Sequence, residues 1–547
     1  MITFGVYLSD KTGKPKTVFV RDSTGLVKSF SAKDMLALNL YGTNWGIVLA
    51  LTVLTGVFAF PGADMSLAVT IGLGLVVFDA IMNSQMIAAV PRSGSYFVWM
   101  SYILNPAVGF VFSWMFMLNI AFAIGLYAGL TANFGVSAAF ATLGILLNNP
   151  WLTSIGTAAA TPNWVFIIGT AAIWGSIVIF EFGSKAVKYF MWIIMVPCII
   201  GALLGLGVLL TSTHASFVAS FNTAMAPYTN STDSYSKIIQ TATSAGGTIP
   251  AFSIAASVTA LPLGYWAYVG YNQSVWGVGG EVKNPSKSQP IAVLTSLFLT
   301  WAVYALAFRR FYDIAGWDFT NAIGYLFNAA PAQYTLPVPP TMNFFIGLLT
   351  SNVVINILIG ASFILWIFML VGPSFLHTSR YMFAWSFSSV FPSVFAKVDS
   401  RGTPWAALLL SAFLAEIFLA LEAFTPYLGL VNYTITYAIV FFVVGLAAAL
   451  FPFLKKDTFE SAPAFAKARF GGFPLLTLFG IIDMILFGAV FVISLENSAF
   501  SGPLGLSSYT LILTMFFSGV IIYAIAYFVR KRQGIDLGMI SKDIPPE

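Results

Sequence analysis

The sequence predicts an all-α polytopic membrane protein with 12 transmembrane helices, on the strength of its composition, its spaced apolar runs and the one-sided placement of its basic residues. Of the 547 residues, 58% are hydrophobic and 8% charged, and mean hydropathy is +0.87; soluble domains carry about 25% charged residues. A water-facing surface cannot be built from this composition. Long apolar runs recur along the chain, each near the roughly 20 residues that a helix needs to cross a hydrocarbon core about 30 Å thick.

Taken in order, the predicted spans cover residues 34–60, 66–90, 106–134, 163–180, 189–210 and 252–280, followed by 291–308, 344–384, 404–423, 431–454, 474–495 and 507–529. The eighth run is too long for one straight crossing. It is expected to extend past the bilayer or to bend near Gly372-Pro373, where proline removes a backbone donor. No apolar stretch with a small-residue cleavage site occurs in residues 1–33, so the first span is expected to direct membrane insertion.

Twelve spans put both termini on one side. With that topology 22 of the 25 basic residues fall on the terminal side, and only Lys237, Arg309 and Arg310 fall opposite. Basic residues are retained in the cytoplasm, so both termini are predicted to be cytoplasmic in a multi-pass cell-membrane protein. The basic stretch Lys11 to Lys33 is expected to lie on the anionic inner surface, and the net charge of +5 then requires no nucleic-acid partner. The loops 147–163 and 211–251 are almost uncharged and read as external. One cysteine, Cys198, and two distant histidines, His214 and His377, suggest no disulfide framework and no metal centre.

Two spans look interrupted. The first carries Leu38-Asn39-Leu40-Tyr41-Gly42-Thr43-Asn44-Trp45-Gly46, and the sixth carries Gly264-Tyr265-Trp266-Ala267-Tyr268-Val269-Gly270-Tyr271-Asn272. Backbone groups freed at membrane depth are tolerated only where they line a cavity or bind a ligand. Small residues also mark ordinary helix interfaces. The two clusters lie at comparable depth in antiparallel spans five apart, the pattern of an inverted five-plus-five repeat holding a ligand between discontinuous helices.

Three further stretches carry a family resemblance: Val90-Pro91-Arg92-Ser93-Gly94-Ser95-Tyr96, Gly279-Gly280-Glu281-Val282-Lys283-Asn284-Pro285 and Ser379-Arg380-Tyr381-Met382-Phe383-Ala384. With Ala396-Lys397-Val398 and Thr403-Pro404, they resemble the amino acid/polyamine/organocation superfamily of permeases over spans one to ten. The resemblance implies a LeuT-like fold, two five-helix inverted repeats plus two C-terminal helices, that moves amino acids by alternating access. It further implies that Gly42, Thr43 and Asn44 meet a substrate carboxylate, aided by the positive end of the following half-helix. Leu40, Trp266, Ala267 and Val269 would present carbonyls to the ammonium group. Gly270 lies in the sixth-span cluster, and Tyr41, Tyr268 and Tyr271 would wall the side-chain pocket. The corresponding division is a tail at 1–33, repeats at 34–211 and 252–454 around an external loop at 212–251, two helices within 474–530 and a tail at 531–547.

Two family devices for proton coupling are missing: Asn272 follows Gly270-Tyr271 where many relatives have an acid, and Trp192 to Leu210 contains no lysine. Asp79, Glu416 and Asp483 remain in apolar spans, where a charge costs about 2.5 kcal/mol or more at the bilayer centre. Each is a proton site or a hydrogen-bonded carboxyl between helices. Glu416 and Asp483 are expected to be the latter, outside the substrate path. Asp79 is the coupling candidate; a sodium ion held by carbonyls of Leu40 to Gly42 and by Ser374 or Thr378 is the alternative. His377 is expected to be a hydrogen-bonded structural residue. No cofactor is expected apart from a coupling proton or sodium ion. The functional alternatives are a membrane sensor that binds an amino acid and a carrier of a related amine such as a polyamine. An enzyme is disfavoured, because no catalytic constellation or nucleotide motif occurs.

Overall fold

The computed structural model describes residues 7–9, 15–17, 28–399, 402–425, 433–501, 506–540 and 542–544. Lys11, Lys14 and Arg21 of the basic tail, Arg401 and the first two residues of the tenth predicted span lie outside the described residues. The chain is predominantly helical, with two-residue and three-residue strand pairs as its only sheets among the described residues.

Helix α1 (Ala32–Thr43) opens with a reciprocal cap, in which the Ser31 side chain and Asp34 satisfy each other's backbone amides. It stops at Asn44, whose left-handed backbone (φ +43°) also starts α2 (Trp45–Leu51). The next long helices are α3 (Met65–Ala89), α4 (Ser95–Ile103), α5 (Pro106–Leu130), α6 (Pro162–Glu181) and α7 (Gly183–Thr211). After these comes a second fragmented region: α8 (Leu261–Trp266), turns over residues 267–272, and α9 (Gln273–Trp276). The remainder is α10 (Pro285–Ala315), α11 (Val353–Phe387), α12 (Trp405–Phe424), α13 (Tyr433–Leu454), α14 (Leu475–Glu496) and α15 (Leu506–Arg532).

Ten helices among the described residues are long and apolar enough to cross a membrane, from Met65–Ala89 to Tyr509–Arg532. Their bounds fall close to ten of the predicted spans. The two that are missing, residues 34–60 and 252–280, are broken into shorter pieces, α1 and a helical run from α2 through Ala59 in the first and Ile254–Thr259, α8 and α9 in the second, each below a membrane-crossing length. Three features differ from expectation. The third span runs on as helix to Leu146. The long eighth run is relieved by a break between Met342–Leu348 and α11, while α11 continues through Pro373. The loops read as external are largely helical, with segments Pro150–Ala159, His214–Thr229 and Ser234–Ser244. Local caps explain this: Asn149 accepts from the amides of Trp151 and Leu152 ahead of Pro150, and Thr213 and Asp233 cap the two later segments.

The packing wraps the fragmented pieces. Helix α10 lies on α3 and α1, α7 on α11, α5 on α11 and α12, and α14 on α13 and α3. Consequently Leu38, Tyr41, Tyr268 and Trp366 are buried in the protein interior, while Ile481, Ile485, Ile521 and Phe528 remain on the outer face.

Candidate functional site

The two fragmented regions touch. A Cβ built on Gly42 would lie 2.2 Å from the Gly270 carbonyl oxygen, and one built on Gly270 would lie 2.4 Å from the Gly42 carbonyl carbon. No side chain fits at this crossing. Gly270 also has φ +98°, a backbone region open essentially to glycine.

Side chains hold both interruptions from several directions. Asn44 accepts from the Ile47 amide at 2.9 Å, capping α2, and its amide group donates to the Trp366 carbonyl of α11. The Thr43 hydroxyl lies 3.1 Å from that of Thr300 and 3.0 Å from the Leu40 carbonyl, and the Tyr304 hydroxyl donates to the Thr43 carbonyl at 2.6 Å. On the other segment of the crossing, the Tyr268 hydroxyl donates to the Val69 carbonyl at 2.7 Å. The Ser274 amide donates to Asn39 Oδ1 at 2.8 Å, a direct bond from one fragmented region to the other. Asn39 Nδ2 and Gln273 Oε1, by contrast, find no hydrogen-bond partner among the described residues.

A small cavity adjoins the crossing, with room for about one water molecule. Gly42, Val269, Gly270, Gln273 and Trp276 line it with Ile120, Ala123 and Tyr127 of α5, Leu370 and Ser374 of α11, and Tyr437 of α13. No charged side chain is among them. The larger groove lined by Asn149, Thr153, Thr223 and Thr350 shares no residue with this crossing.

The predicted site residues separate into three groups. Gly42, Val269 and Gly270 line the cavity, as does Ser374, whose hydroxyl donates to the Leu370 carbonyl at 2.6 Å. Leu40, Thr43, Asn44, Trp266 and Ala267 lie at the interruptions; the Leu40 carbonyl already accepts from the Asn44 amide and the Trp266 carbonyl from the Val269 amide. The three tyrosines point elsewhere. Tyr41 donates to the Met191 carbonyl of α7, Tyr268 to Val69, and Tyr271 to Asp79 Oδ2 at 2.5 Å. None of the three lines the cavity, whose side chains come from α5, α9, α11 and α13 together with Val269.

The acidic candidates also resolve. Glu416 accepts from the Thr170 hydroxyl, a hydrogen-bonded carboxyl between α6 and α12. Asp79 accepts from Tyr271 and from the Asn83 side chain, and Tyr96 extends the chain by donating to Asn83 Oδ1 at 2.9 Å. Asp483, expected to be hydrogen-bonded, has no hydrogen-bond donor on either oxygen among the described residues; its carboxyl lies beside that of Asp79. His377 departs too, being fully buried with neither ring nitrogen hydrogen-bonded among the described residues and packed against Trp276 at 5.7 Å.

Sequence reasoning gave no role to the Glu281–Arg380 pair, although both residues sit in stretches that carry the resemblance. Arg380 Nε lies 2.8 Å from Glu281 Oε1 and Nη2 lies 3.1 Å from Oε2. Around the pair, Ser29 and Phe30 amides donate to the Glu281 carbonyl, Lys283 donates back to Phe30, and Gly94 donates to Gly277. The lead into α1, the 91–94 turn, residues 277–283 and the end of α11 are thus laced together.

The family model for amino acid permeases matches residues 36–537. The chain belongs to the amino acid permease family. It is similar to the branched-chain amino acid permease BcaP of Lactococcus lactis subsp. cremoris (strain MG1363), 21% identical over 409 residues, covering 71% of this chain and 77% of that protein. It is also similar to the uncharacterized amino acid permease YvbW of Bacillus subtilis (strain 168), 24% identical over 225 residues, 39% of this chain and 44% of that protein. As a member of a transporter family, the permease is a multi-pass membrane protein rather than an enzyme, and its substrate is a small molecule, an amino acid.

Proposed function

We propose that the permease is a secondary active transporter that carries neutral, apolar amino acids across the cell membrane by alternating access. The observation that carries this reading is the Gly42–Gly270 crossing beside a cavity lined by uncharged groups. Backbone amides and carbonyls around residues 40–46 and 266–270 then meet the carboxylate and ammonium common to all substrates. Ile120, Ala123, Leu370 and Trp276 meet the side chain. An apolar lining supplies contact to an aliphatic side chain and no counter-ion to a charged one. That favours an amino acid over a polyamine, and the branched-chain name of the Lactococcus relative makes L-leucine the first probe.

In this reading the two interrupted helices join the ten long ones to make 12 spans, arranged as repeats at 34–211 and 252–454 with helices at 474–530 appended. The basic-residue bias supports cytoplasmic termini. The cavity in this closed arrangement is smaller than an amino acid, so binding requires the crossing to part, as alternating access demands.

The test is counterflow of radiolabelled L-leucine in proteoliposomes of the purified permease, with L-alanine, L-lysine and putrescine as competitors. L-leucine and L-alanine are expected to exchange, and L-lysine and putrescine to compete at least tenfold more weakly. Tight binding without exchange would make the protein a sensor.

A further inference from the structure

Asp79 on α3 and Asp483 on α14 are 4% and 0% exposed. They come from chain segments about 400 residues apart, yet their carboxyl groups meet. The two are provisioned unequally. Asp79 has one donor on each oxygen, the Tyr271 hydroxyl on Oδ2 and the Asn83 side-chain amide on Oδ1. Asp483 has none: neither oxygen finds a hydrogen-bond donor among the described residues. Gly445 of α13 comes so close that a Cβ there would lie 3.0 Å from Asp483 Oδ2. That wall offers Asp483 backbone and hydrogen atoms only.

No cation compensates the pair, since none of the ion pairs among the described residues includes either aspartate. The titratable groups that face it are tyrosines: Tyr271 from the 267–272 turn and Tyr96 from α4, with Tyr381 of α11 behind Tyr96. Helix α8 contributes Tyr265, stacked edge-on against Phe487 of α14, and α13 contributes Gly445. Two adjacent carboxylates in such surroundings do not both ionise. A proton on Asp483 turns a donorless oxygen into a donor toward Asp79, whose oxygens have lone pairs to spare beyond those used by Tyr271 and Asn83.

We propose that Asp79 and Asp483 form a carboxyl pair that shares one proton while Tyr271 is seated and takes up a second when Tyr271 withdraws, making it the proton-coupling site of the permease. The coupling rests on the transport reading above. The link to substrate is short, because Tyr271 follows Gly270, and Gly270 contacts Gly42 across the cavity-lining crossing. Parting of the crossing carries the Tyr271 hydroxyl away from Asp79. A carboxylate that loses a donor binds a proton more tightly. The second proton is therefore gained on opening and released on closure, and nothing else is exchanged at the carboxyls.

Two measurements separate the pair from the coupling. In infrared spectra of the purified protein in lipid at neutral pH, the wild type is expected to show a protonated-carboxyl stretch that the double variant D79N/D483N lacks. Identical carboxyl regions would mean a fully ionised pair and would overturn the proposal. In proteoliposomes, D483N is expected to keep L-leucine counterflow within about threefold of wild type while losing accumulation driven by a pH gradient. Accumulation equal to wild type under the same gradient overturns the coupling. Should D483N fail to insert, Y271F removes only the donor to Asp79, and the pH midpoint of gradient-driven uptake must then rise; an unmoved midpoint sinks the link. A wild type that exchanges no amino acid defeats the transport reading and the coupling with it, while the infrared band still decides the pair.

Discussion

Glu281 and Arg380 meet through two parallel hydrogen bonds, 2.8 and 3.1 Å long, with side chains 2% and 5% exposed. A two-point guanidinium–carboxylate pair is directional as well as strong. It ties the segment after α9 to the end of α11, beside the backbone bonds that draw in residues 29–30.

Breaking that pair from one side strands a buried charge, which costs about 3–5 kcal/mol. Glu281→Gln is therefore expected to lower the thermal midpoint of the detergent-solubilised protein by several degrees. Arg380→Lys, which keeps the charge but loses the fork, should fall between it and wild type. Cys198, the single cysteine, is fully buried and serves as the reporter through a thiol-reactive dye that labels on unfolding. Equal midpoints for Glu281→Gln and wild type would mean that the pair holds nothing together.

Gly42→Ala and Gly270→Ala each force a methyl into backbone atoms of the opposite segment, at 2.2 and 2.4 Å. Overpacking of this kind costs about 1–3 kcal/mol, and at Gly270 the positive φ adds strain. Both variants are expected to reduce L-leucine counterflow by at least tenfold. Gly270→Ala should be the less stable of the two by dye unfolding. Counterflow at the wild-type rate from either would show that the segments part easily and that the contact is incidental.

Asn44 has two duties that substitutions can divide. Its side chain caps α2 and bonds to Trp366, and its backbone sits at φ +43°. Asn44→Gly keeps the backbone and loses the side chain; Asn44→Ala loses both. Loss of a cap costs about 0.5–2 kcal/mol with Ala and less with Gly. The order of unfolding midpoints is expected to be wild type, Asn44→Gly, Asn44→Ala, and the reverse order for the two variants would rule out the left-handed backbone as the reason for asparagine.

The positions of these features were legible to different degrees. Seven of the ten spans read from apolar runs fall within about three residues of the helices, as with 66–90 against Met65–Ala89, because hydrocarbon thickness sets helix length directly; 106–134, 291–308 and 344–384 miss by more, where helices run past the bilayer length or break. The interruptions were legible from glycine and polar clusters, which locate them to within about a turn of Asn44 and of the 267–272 turns. Side-chain direction was not. Tyr41 and Tyr271 sit in the interrupted segments but turn toward Met191 and Asp79, since a span apolar on all sides carries no face that marks cavity from lipid. Asp483 is buried between helices as its apolar span suggests, but its neighbour Asp79 was not legible, because the two lie about 400 residues apart and only packing of α14 on α3 brings them together. His377 was expected to find a hydrogen bond and instead packs against Trp276 and Gly277.

The cavity lining predicts specificity at Ala123. This residue stands on α5 beside Ile120 and opposite Leu370 and Gly42, where an aliphatic side chain would come to rest once the crossing opens. Ala123→Val fills part of that space without adding charge or removing a hydrogen bond. One methylene in an apolar pocket is worth about 10–200-fold in discrimination. The variant is therefore expected to lose L-leucine transport by at least tenfold while L-alanine transport changes by less than about threefold, measured as competition in counterflow. Because both substrates share the carboxylate and ammonium, an equal loss for the two would point to a damaged backbone site rather than a narrowed pocket, and an unchanged ratio would move the side-chain pocket away from α5.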